Sequence, residues 1–171
     1  MSFESRRLAG VLLIVLPTVV FGGVSLLTLL ISDPAYQANP LRQDLWRAGH
    51  AHAGVLLLLS LIALRYVDEA VLGVRMRSVA RHAIPAAALL LPAGFFLSVL
   101  SPEATGPNAL ISLAYAGAAS LVVGLLTLGV GLVRRPQRRS AEREGQATVD
   151  EHVAADDERR LVTGEPGDRA R

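Results

Sequence analysis

The chain has 171 residues, no cysteine and 51% hydrophobic residues, and its mean hydropathy of +0.42 averages in a polar C-terminal stretch. Several uncharged apolar runs of about 20 residues exclude an ordinary soluble domain and indicate a small polytopic membrane protein. The lack of cysteine excludes disulfides, Cys-ligated zinc, iron–sulfur clusters and thiol chemistry, leaving only nitrogen and oxygen ligands.

All 17 basic residues are arginine, and alanine, glycine and valine abound. High-GC coding produces this composition, so we expect a bacterial, actinobacterial-type origin. The formal charge of +2 divides at Arg134: residues 1–133 carry 8 Arg against 6 acids, and 134–171 carry 9 Arg against 9 acids. The basic residues flank the apolar runs, so the excess of arginine does not imply nucleic-acid binding.

The first span is expected over residues 8–31, interrupted only by Pro17 and the pair Gly22 and Gly23. It is too long for the apolar core of a cleaved signal peptide, and no A-x-A pattern follows it, so it is expected to be retained. Pro17 should kink it by removing a backbone donor. A polar loop from Ser32 to Arg47 follows, with Asp33-Pro34 and Asn39-Pro40 as turn signals and Tyr36 and Trp46 suited to the headgroup zone.

The second span is expected over residues 48–64, short but extended by a snorkelling Arg65. Residues 67–82 carry Asp68, Glu69, Arg75, Arg77 and Arg81 and read as a solvated connection with room for surface helix. The third span, 83–100, has Pro85 in its first turn and Pro92 at mid-membrane. After a short turn the fourth runs over 109–133 without a charge. These spans predict an all-α fold, a four-helix up-down bundle. Arginine counts put both termini and the middle loop in the cytoplasm of a bacterial plasma membrane, because cytoplasmic loops retain positive charge. Residues 134–171 have few large apolar side chains and no sustained period, and are expected to form a disordered charged cytoplasmic tail.

On the fourth span Ser112, Ala116, Ser120 and Gly124 recur every four residues, a stripe of small side chains that predicts a helix-packing face within the chain or at a homodimer seam. On the second span Gly49, Ala53, Leu56, Ser60 and Ala63 share a small face. His52 lies about 60° to one side of Gly49 and His50 about 100° to the other, so His52 is expected to be the inward-looking ring if that face is packed.

His50 and His52 are, apart from the boundary residue Tyr115, the only ionisable groups within the four spans, and such groups in a membrane are functional candidates. One reading makes them interfacial histidines bonded to Asp33, Asp44 or Tyr36. The other makes them ligands of haem or a divalent metal near the outer face, with Asp33, Asp44 and Glu103 available to complete a nitrogen and oxygen site. Asp44 and Arg47, three apart, are spaced to pair with each other.

The segment Arg47-Ala48-Gly49-His50-Ala51-His52-Ala53-Gly54 and the apolar run after it, to Leu61, resemble the histidine-bearing helices of haem-copper oxidase large subunits and nitric oxide reductases. That resemblance implies a haem axial ligand at His50 or His52. A second axial histidine would come from another protomer or subunit, since His82 borders the third span at the opposite side, about 30 Å away.

Phosphate-binding loops and nucleophile elbows are not found, and no catalytic residue is named. The spans carry no ionisable group near the bilayer centre, unlike a self-sufficient ion pump. The leading expectation is a non-enzymatic accessory or structural membrane protein, alone with lipid or in a homo-oligomer or larger complex. The alternative is a haem- or metal-binding protein in electron transfer or sensing.

Overall fold

A computed structural model describes residues 1–134 of the chain. The expected tail falls on residues 134–171, of which 135–171 lie outside the described residues. The described part is helical: α1 (Phe3–Ser32), α2 (Pro34–Gln37), α3 (Pro40–Tyr66), α4 (Val74–Ser98), a 3-10 turn (Ala109–Ile111) and α5 (Ser112–Val133). Four of these segments are long and apolar enough to cross a membrane, the last counted with its 3-10 turn.

Local chemistry explains where the helices begin. Ser2 caps α1, its hydroxyl accepting from the Ser5 backbone N–H, and Glu4 adds negative charge beside the helix's positive end. At α3 the Asn39 side chain accepts from Arg42 N, and Pro40 occupies the first turn, where a missing N–H costs nothing. The Asn39-Pro40 pair therefore starts a helix about two turns before the expected span. α4 likewise starts at Val74, so its arginine-rich beginning is a helix rather than an irregular connection. With 27 residues α3 is about 40 Å long, and its polar first turns extend past a hydrocarbon core of about 30 Å.

The helices pack as a chain of neighbours: α5 on α4, α4 on α3, and α1 chiefly on α3. The tightest seam joins α4 to α5. Gly94 faces the Ala114 backbone, Gly117 faces Leu91, and Gly124 faces Ile84, so the partners run backward along α4 as α5 proceeds. A Cβ on Gly117 would stand 2.7 Å from Leu91 N, and one on Gly124 the same distance from Ile84 Cγ1. Such contacts fit membrane helices, which associate through close backbone approach because lipid is as apolar as leucine.

On α5 the buried positions are Ala114, Gly117, Gly124, Leu128 and Gly131, with Leu121 partly buried. They alternate steps of three and four. A strict four-residue stripe drifts about 40° per step on an α-helix, which is why only part of the expected packing face meets α4. Ser120 donates to Ala83 O at 2.8 Å and Gly124 is buried, whereas Ser112 and Ala116 are exposed.

Two hydrophobic clusters fill the interior. One gathers Leu12, Leu56, Leu57, Leu64, Ala88, Leu91 and Ala114 from all four long helices. The other holds Ala63, Val67, Ala70, Ala80, Ile84 and Leu128 near the α3–α4 connection. The small face read on α3 is packed, with Gly49, Leu56, Ser60 and Ala63 buried. α1 is the outlier: only 6% of its most apolar window is buried.

Candidate functional site

His50 and His52 diverge. The His50 ring, half-buried, lies against α1, where a Cβ on Gly23 would meet its Cε1 and Nε2 at 3.0 Å; Gly22 and Gly23 make room for the imidazole. His52 is exposed. Its ring centroid is 5.4 Å from that of Phe95 on α4, and its Nδ1 is 2.7 Å from Ala48 O. A carbonyl only accepts, so that nitrogen carries a proton, which in a neutral ring makes Nε2 the nitrogen with the lone pair.

The expectation that His52 looks inward is corrected: the more enclosed ring is His50. The cause is that α3 has two neighbours. Its small face meets α4, and α1 covers the side on which His50 lies.

The outer carboxylates do not join the histidines. The Asp33 side chain accepts from Ala35 N and Tyr36 N, starting α2, and Asp44 pairs with Arg47 at 2.7 Å. Glu103 is exposed in the α4–α5 connection, and Tyr115 is 73% exposed. Among the described residues no three His, Asp or Glu side chains gather as a metal would need. A haem or metal on His50 or His52 would thus draw its remaining ligands from elsewhere.

Two other polar constellations are far better built, and each centres on a buried arginine. At the end of the molecule holding the α1–α3 and α4–α5 connections, called here the outer end, Arg42 donates from Nε to Val99 O at 3.1 Å. Its guanidinium lies 4.3 Å from the Trp46 ring centroid and 6.0 Å from that of Tyr36, a cation–π arrangement. Trp46 donates from Nε1 to Phe96 O at 3.1 Å. Asn108 donates from its side chain to Leu97 O at 3.2 Å and from its backbone to Ser98 O at 2.9 Å. Ser98 Oγ donates to Phe95 O at 3.2 Å. The last carbonyls of α4, which a helix end leaves without intrahelical partners, are therefore all satisfied. Burial pushes the Tyr36 hydroxyl above its ordinary pKa, against the opposing pull of Arg47 and Arg42.

At the opposite, inner end, Arg81 of α4 has a side chain only 7% exposed. It donates from Nε to Ser5 Oγ at 3.1 Å, to Ser2 Oγ and Asp68 Oδ1 at 3.2 Å each, and to the Glu4 carboxylate. Asp68 also accepts from Ser2 N at 2.6 Å and from Ser5 Oγ at 3.3 Å. Burial works to raise the Asp68 pKa, but these donors from Ser2, Ser5 and Arg81 outweigh it and hold the carboxyl below its ordinary value.

The sequence reading counted Arg81 only toward orientation and read Asp68 as loop solvation. The available signal was Ser2-x-x-Ser5 at a helix start, but its partners stand more than 60 residues away in the chain. No protein family, curated protein or solved structure matches this chain.

Proposed function

We propose that the chain is a multi-pass protein of the bacterial plasma membrane. Its four long helices cross up and down with both termini in the cytoplasm, and it acts as a non-enzymatic accessory or structural component. One observation carries this reading: the best-built polar groups, centred on Arg42 and Arg81, are bonded to this protein's own helix ends. They serve the assembly of helices. The orientation is supported by Arg6, Arg7, Arg65, Arg75 and Arg77, which accompany Arg81 at the inner end, against Arg42 and Arg47 at the outer end.

Because the chain has no cysteine, single-cysteine labelling tests the orientation cleanly. Thr105→Cys should react with an impermeant maleimide on intact cells and Gly73→Cys only after lysis; the reverse pattern overturns it. Purified in detergent, the protein should be colourless and metal-free, with helix content and stability kept in His50→Ala and His52→Ala.

The alternative, a haem or metal ligand on α3, is favoured by one specific observation. The His52 ring has Nδ1 fixed on Ala48 O and leaves Nε2 exposed, as the ligating nitrogens of metal-bound histidines are commonly held. Its second ligand would come from another protomer or subunit. A Soret band or stoichiometric metal that disappears in His52→Ala would establish this reading and overturn the first.

A further inference from the structure

Beside the Arg81 joint, α1 and α4 enclose a groove of about 390 Å3, lined by Phe3, Glu4, Arg7, Leu8, Val11, Ser78 and His82. The α1 residues form a single stripe, and Ser78 and His82 face it from successive turns of α4. From Phe3 to Val11 the stripe rises about 12 Å along the helix and passes from charged (Glu4, Arg7) to apolar (Leu8, Val11). Glu4 forms its ion pair with Arg81 rather than with Arg7. Arg7 is exposed. His82 donates from Nδ1 to Ser78 O at 2.9 Å. The groove thus offers a guanidinium and a hydroxyl at its polar end, and bare hydrocarbon at the other.

We propose that this groove binds an anionic phospholipid, with the headgroup phosphate on Arg7 and Ser78 and one acyl chain along Leu8 and Val11. A guanidinium matches phosphate oxygens in fork geometry, and an arginine in a recess between membrane helices suits an anionic headgroup. The apolar end decides between a lipid and a free anion: inorganic phosphate would leave Leu8 and Val11 unused, whereas a phospholipid occupies the whole stripe. Phe3, 72% exposed at the rim, sits where aromatic rings favour the headgroup zone. The inference rests on the membrane reading above but not on its sidedness.

The test is native mass spectrometry of the full chain released from nanodiscs of phosphatidylcholine mixed with phosphatidylglycerol. The wild type should retain phosphatidylglycerol over phosphatidylcholine, and Arg7→Gln should lower that preference about fivefold, the worth of one arginine near an anionic surface. Arg75→Gln removes an equal charge from the same end of the helix assembly, outside the groove, and should leave the preference intact. Leu8→Trp, which fills the apolar end while keeping every charge, should also reduce retention, and millimolar inorganic phosphate should not displace the lipid.

Equal loss in Arg75→Gln and Arg7→Gln would mean diffuse attraction and overturn the site, as would unchanged retention in both Arg7→Gln and Leu8→Trp. Displacement by phosphate would reassign it to a free anion. If Arg7→Gln fails to fold, Leu8→Trp and Arg75→Gln decide the matter alone. Nanodiscs expose both faces, so a wrong orientation in cells would leave this result standing, and the labelling experiment would still reveal it.

Discussion

The two ends of the helix assembly solve the same problem with opposite chemistry. Each buries one arginine to fasten a helix end. At the outer end Arg42 has no carboxylate partner among the described residues; a carbonyl at the end of α4 and two aromatic faces receive it. At the inner end Arg81 is met by two carboxylates and two serine hydroxyls. A charge set against dipoles and rings leaves no full countercharge behind when removed. A charge set against a largely buried carboxylate, as Arg81 is against Asp68, does. The inner joint should therefore be the more fragile to mutation and the only one sensitive to acid.

The largest expected effect is at Arg81. Replacing it with Met leaves Asp68, whose side chain is 18% exposed, without its cation, and should cost about 3 kcal/mol in detergent unfolding. Adding Asp68→Asn and Glu4→Gln to that variant should recover much of the loss; no recovery would mean that the joint is not electrostatic. Arg42→Met should cost less, about 2 kcal/mol for one charged hydrogen bond and a cation–π contact, and should shift Trp46 fluorescence. If it costs more than Arg81→Met, the contrast between the two ends fails.

Acid sharpens the comparison. Asp68 has a lowered folded-state pKa, so its contribution is complete above the ordinary value of 3.8 and is lost as pH falls through the lowered one. The stability gap between wild type and Asp68→Asn should thus be flat near neutrality and close only in that acid range, whereas the deficit of Arg42→Met should persist there. The smallest effect belongs to the exposed Asp44–Arg47 pair: Arg47→Gln should change stability by less than about 0.5 kcal/mol.

The four apolar segments were legible because hydrocarbon thickness imposes a length that composition alone satisfies. The starts of α3 and α4 were not, since Asn39-Pro40 signals a turn and a helix cap equally well, and arginines near Gly73 suit a loop as readily as an interfacial helix. Ser120 and Gly124 of α5 face α4, whereas Ser112 and Ala116 are exposed, because the seam of Ala114, Gly117, Leu121 and Gly124 does not follow a four-residue rule. The orientations of His50 and His52 depended on which helix lies on which side of α3, and periodicity within one helix carries no such information. The joints at Arg42 and Arg81 were invisible for a related reason: their partners converge only in three dimensions.

The joint at Arg81 also imposes an order on biogenesis. The first turn of α1 is gripped by Asp68 and Arg81, which the ribosome makes only after two spans have been threaded. Until that later segment emerges, α1 lacks the partners that hold its first turn. A nascent chain arrested before position 81 should therefore display an accessible, protease-sensitive amino end, and one arrested well beyond it should not.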